Sequence, residues 1–64
     1  MKRRDLERWL GRHGCTLLRE GARHSWFVNE ALNRRSAVPR HKEIRDELVN
    51  KICRDLGIPP PEHT

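Results

Sequence analysis

Apolar residues recur along the first part of the chain at helical intervals. In KRRDLERWLGRHG, Leu6, Trp9, Leu10 and His13 follow an i, i+3, i+4, i+7 spacing, so a helix from about Arg3 to His13 is expected to turn one face inward. Asp5 and Glu7 near its start and Arg12 and His13 near its end suit the helix dipole. Gly14 is a natural stop, while Gly11 weakens the helix modestly. The period then shortens. CTLLRE and RHSWFVN read as two strands joined by Gly21 and Ala22, and two residues with glycine first suit a type II′ hairpin turn. That register sets Glu20 opposite Arg23 and Arg19 opposite His24. Leu17, Trp26 and Val28 form one apolar set and Leu18 and Phe27 another, so the pattern leaves open which sheet face is core. NEALNR is a loop, and RRSAVP is a short third strand closed by Pro39.

A second helix is expected from about Lys42 to Leu56. Ile44, Leu48, Ile52 and Leu56 repeat every fourth residue, and Val49 and Cys53 widen the stripe. Glu43 and Asp46 lie near its start and Arg54 near its end. Gly57 and Pro59 end it, and Ile58 is placed to fold back on the last turn. PPPEHT reads as a stiff polar tail, giving one domain over residues 1–58 and a tail over 59–64. The order is α-β-β-β-α. A three-stranded antiparallel sheet has a face to hide, and two amphipathic helices are available to hide it, so the fold class is a small two-layer α+β domain. The double-stranded-RNA-binding (dsRBD) fold has this order and size.

Length limits what such a domain can do. A chain of 64 residues buries only about 60% of its unfolded surface and cannot enclose a deep cavity. Chemistry must sit on an open face, which suits a polymeric substrate. The net charge is +5, and eleven of the fourteen basic residues are arginine. Guanidinium groups bind phosphate in bidentate fashion and stack on bases, so the charge points to nucleic acid or an acidic protein partner. Cys15 and Cys53 sit among apolar residues and read as buried free thiols, although one disulfide is compatible with the sequence. No CxxC or HxxxH spacing suggests zinc, and no run is long enough for a signal peptide or membrane span, so a cytoplasmic protein is expected.

Four segments together resemble a known family. The helix KRRDLERWLGRHGC, the glycine-to-histidine segment LLREGARHSWFV, SAVPRHKEI, and VNKICRDLGI are similar to the corresponding parts of HicA, the toxin of HicA–HicB toxin–antitoxin systems. The resemblance implies a dsRBD-like fold and an mRNA interferase, a ribonuclease that cleaves mRNA and arrests growth. It puts the catalytic histidine at His24 and the turn glycine at Gly21, with Ala22 and Arg23 between them. It also implies a HicB-type antitoxin that binds the toxin and blocks His24. No cofactor, metal or membrane is implied.

RNA carries its own nucleophile in the ribose 2′-hydroxyl, so a single base beside it suffices to start cleavage. Imidazole, which titrates near neutrality, suits that task and contributes roughly a hundred- to ten-thousand-fold. Arg19 and Arg23, flanking His24 in the expected hairpin, are candidates to stabilise the developing charge. Arg40, His41 and Lys42 form a basic knot at the expected start of the second helix, where free N–H groups would also favour phosphate; they read equally as three solvated residues or as a surface for an acidic antitoxin. Lys2, Arg3 and Arg4 read as a solvated basic run, with contact to RNA or a partner as the alternative. Ser25 has no general-base constellation. Trp9 belongs to the core stripe, and Trp26, on His24's face, reads as core unless that face is open, in which case it is a platform beside the site. Two other readings stand beside the ribonuclease: a non-catalytic RNA-binding module of the same fold, and a protein-interaction domain whose basic face meets an acidic partner.

Overall fold

A computed structural model of the chain describes residues 1–61. It contains α1 (Arg3–Arg12), β1 (Cys15–Glu20), β2 (His24–Asn29), β3 (Arg34–Pro39) and α2 (Asp46–Leu56). The strands form one antiparallel sheet in the order β1-β2-β3. The fold is therefore the expected α-β-β-β-α, with both helices on one face.

Pairing settles which face that is. Cys15 pairs with Asn29, Ser25 with Val38 and Phe27 with Ser36, and all six are buried beneath the helices. Leu6 and Leu10 of α1 and Val49, Ile52, Cys53 and Leu56 of α2 meet Cys15, Phe27 and Val38 in one cluster, closed by Ile44 and Ile58. The opposite face carries Thr16, His24, Trp26, Val28, Arg35 and Ala37 and has no helix over it. Three buried polar side chains on the core face are bonded rather than stranded. Asn29 Nδ2 donates to the Leu56 carbonyl at 2.8 Å, Ser36 Oγ to Asp55 at 3.1 Å, and Ser25 Oγ to Glu20. These bonds tie the sheet to α2 and to the first hairpin, and offset the cost of burying polar atoms in so thin a core.

The end of α2 follows its sequence. Gly57 adopts φ 72°, its N–H donates to the Arg54 carbonyl at 3.1 Å, and Ile58 N–H reaches back to Cys53 at 3.0 Å. This is the Schellman arrangement, and it buries Ile58 as expected. Both cysteines are free and buried. Desolvation pushes the Cys15 thiol up, and desolvation with the nearby Cys15 pushes Cys53 to about 11. Both are thus poor nucleophiles.

The start of α2 departs from expectation. The helix begins at Asp46, not Lys42. Residues before it are drawn into extended pairing with the head of the chain: Lys2 bridges Glu43, Arg3 N–H donates to the Lys42 carbonyl at 2.8 Å, and Ile44 N–H donates to Met1 O at 2.8 Å. These bonds replace the first helical turn while Ile44 keeps its place in the core. Of the tail expected over 59–64, residues 62–64 lie outside the described residues. In the described part, Pro59 O accepts the Trp9 indole N–H at 2.9 Å and Pro61 is buried. Trp9 itself is half-buried against the core, with the His13 ring tilted beside it at 4.4 Å. Among the described residues no helix is long and apolar enough to cross a membrane.

Candidate active site

The hairpin that carries His24 differs from the expected two-residue turn. Three residues, Gly21 to Arg23, separate β1 from β2, and Gly21 does not have the positive φ that a type II′ turn needs. The register moves with it. Glu20 pairs with Ser25 rather than Arg23, and Arg19 with Trp26 rather than His24. A bulge at Leu18 restores regular pairing from Leu17 to Phe27, which leaves Leu17 on the core face but half exposed at the sheet edge. Gly21 is favoured for another reason. Its N–H donates to the His24 carbonyl at 2.8 Å, and a Cβ placed on it would meet that oxygen at 3.2 Å and the Trp26 indole nitrogen at 3.6 Å. Backbone and indole close in on a residue with no side chain.

His24 opens β2 on the helix-free face, opposite Pro39, and is exposed. The chain beneath it is held by a line of charge-assisted hydrogen bonds. Arg3 donates to Glu7 at 2.7 Å, to Ser25 Oγ at 2.7 Å and to the Pro39 carbonyl at 3.1 Å. Ser25 Oγ in turn donates to Glu20 at 2.5 Å. Glu20 also accepts from Arg40 at 3.0 Å, and Arg40 reaches on to the Gly21 and Ala22 carbonyls. The turn preceding His24 is thus clamped from α1, through the buried Ser25, to the residue that follows β3. Bonds with an ionised partner are roughly twice as strong as neutral ones, so this line sets the turn's position more firmly than backbone pairing at a sheet end would.

The candidates sort accordingly. Arg19 stays on His24's face, two residues along, with its guanidinium over Trp26 at 5.5 Å. Arg23 is exposed in the turn. Arg40 is engaged with the turn, so its first role is structural. His41 and Lys42 are exposed on the extended segment, not at a helix N-terminus, so the dipole argument for phosphate binding there falls away. Ser25 is buried and fully bonded, and no substrate reaches it. Sequence reasoning missed Arg3, which reads as one of three solvated cations but is the hub of the clamp. Only the acid four residues on, Glu7, hinted at its engagement. It also missed Glu20. Among the described residues no group of three His, Cys, Asp or Glu side chains is arranged to hold a metal ion.

Comparison with protein families decides the kinship. The model of the HicA toxin of bacterial toxin–antitoxin systems matches residues 3–58. The chain belongs to the HicA toxin family. No curated protein and no solved structure matches it. The HicA match runs from the first residue of α1 through Ile58, the residue that closes the core, so it covers the packed domain and includes His24, its turn and every member of the clamp.

Beside the clamp, Lys2, Arg3, Arg4, Arg40 and Lys42, with Glu7 and Glu43, line an open groove of about 630 Å³. Its cations outnumber its acids, so it favours an anionic ligand. The clamp also makes a pH prediction. The Ser25 hydroxyl first, and Arg40 second, hold the Glu20 carboxyl below the usual range. A depressed carboxylate contributes stability above its unfolded pKa and loses it as pH falls through the folded value. Thermal melts of the wild type and Glu20→Gln, from about pH 7 to about pH 3, should therefore differ at neutral pH and converge in acid.

Proposed function

We propose that this HicA toxin is a metal-independent endoribonuclease, an mRNA interferase, in which His24 is the general base. The observation that carries the reading is an exposed imidazole on the helix-free face, within the family match and next to a turn held by the Arg3–Ser25–Glu20–Arg40 line. His24 takes the proton of a ribose 2′-hydroxyl. The 2′-oxygen attacks the adjacent phosphorus, the bond from phosphorus to the 5′-oxygen breaks, and the departing oxygen takes a proton from water or from the imidazolium. The products are a 2′,3′-cyclic phosphate and a 5′-hydroxyl. Arg23 and Arg19 supply positive charge where the pentavalent phosphorane gains negative charge. Residues along the groove, Lys42 foremost, and His41 on the same segment meet neighbouring phosphates.

The antitoxin is a HicB-type protein that covers His24. A surface of net charge +5 would associate quickly with an acidic partner, at a rate that falls with salt. The test is chemical. Purified toxin is incubated with mRNA in excess EDTA, and fragment ends are identified. Cyclic-phosphate ends, together with loss of cleavage at any position given a 2′-deoxyribose, are the expected result. Cleavage of 2′-deoxy positions, or none without a divalent cation, would overturn the mechanism. Salt-dependent binding without cleavage under any condition would leave a non-catalytic RNA-binding module.

A further inference from the structure

Of the three large aromatic side chains, Phe27 lies in the core and Trp9 packs against it and bonds Pro59. Trp26 lies on the helix-free face, half-buried, two residues from His24. We propose that Trp26 and Arg19 form a nucleobase platform, which stacks one base of a single-stranded RNA next to the nucleotide at His24. This rests on the ribonuclease reading and specifies how its substrate is held.

Four observations support the platform. The indole is half-buried with its nitrogen edge beside Gly21, which has no side chain to cover it. Its neighbour on β1 is Arg19, whose guanidinium lies over the ring, and its neighbour on β3 is Ala37, which offers only a methyl group. A base therefore approaches from the Ala37 side and completes a stack with the indole and guanidinium. Charge agrees, because Arg19 and Arg35 share this face with no carboxylate among its paired residues, and neither has an acidic partner within salt-bridge distance among the described residues. Position agrees too. Residues two apart on a strand lie roughly 7 Å apart on one face, about the reach of one extended nucleotide. An acidic peptide would use the arginines but has no need of the ring, whereas every base has a π-face that an aromatic ring accepts.

Binding is read from fluorescence in a Trp9→Phe, His24→Ala background, so that Trp26 is the emitting tryptophan and the RNA stays intact. Oligoadenylate is expected to quench it, and an abasic ribose-phosphate oligomer of equal length to bind without quenching. Trp26→Ala is expected to weaken oligoadenylate binding about 5- to 150-fold, and Trp26→Phe, which keeps a stacking ring and guards against misfolding, to recover most of it. Equal quenching by both oligomers, or unchanged affinity in Trp26→Ala, would overturn the platform while leaving the RNA reading intact. Failure of both oligomers to bind the wild-type surface would sink the RNA reading itself. Quenching by polyglutamate alone would assign the face to an acidic protein.

Discussion

His24→Ala is expected to lower mRNA cleavage by about 10²- to 10⁴-fold, the usual worth of a positioned general base, while leaving the fold unchanged. The structural half of that expectation comes from exposure. His24 makes no side-chain contact that packs the core, and its one notable local bond, the carbonyl that accepts Gly21 N–H, belongs to the backbone and survives the substitution. Surface changes of this kind stay within about 0.5 kcal/mol. His24→Gln sharpens the test, since an amide keeps hydrogen-bonding capacity but takes up no proton near neutrality. It should be as inactive as alanine, and both variants should still bind RNA. Single-turnover cleavage alongside a urea melt separates the cases. Wild-type rates in either variant would place the base elsewhere.

The order of elements was legible because each has its own local signal. The i, i+3, i+4 stripes of both helices, the glycines at 14 and 57, and Pro39 mark boundaries that the chain observes. What pattern alone left open was decided by partners distant in sequence. The bulge at Leu18 sets Leu17, not Leu18, on the face of Phe27, a one-residue slip that no alternation rule anticipates. The late start of α2 follows from backbone bonds to Met1 and Arg3, some forty residues away, which outweigh the helical pattern from Lys42. His24 could be named from kinship, but its support could not. Arg3 and Arg40 look like the other nine arginines until the fold brings them to Ser25, Glu20 and the turn. Trp26 shows the converse. Its hydrophobicity argued for the core, and only the absence of a helix over its face makes it available to a ligand.

The second large effect is expected at Arg3. Arg3→Met should destabilise the domain by about 2–3 kcal/mol, a large share of the roughly 3–5 kcal/mol that a single small core supplies. Two terms oppose each other. Methionine relieves the cost of holding a cationic side chain that is only 23% exposed, and replacing buried ions by apolar groups is often neutral or better when both partners go. Here only one goes. The Pro39 carbonyl loses a donor, the buried Ser25 hydroxyl keeps Glu20 as acceptor but loses its cationic donor, and Glu7 is exposed enough to return to water. The loss at the two less accessible acceptors wins, because both residues are buried and far from free exchange with water. Arg3→Lys keeps the charge without the fork that reaches three acceptors at once, so it should recover only part of the stability. Urea unfolding measures both variants. The same clamp ends at the turn before His24, so Arg3→Met should also lower kcat at temperatures where the protein remains folded, with little change in KM. A variant as stable and as active as wild type would show that the Arg3–Ser25–Glu20–Arg40 line does not position the histidine.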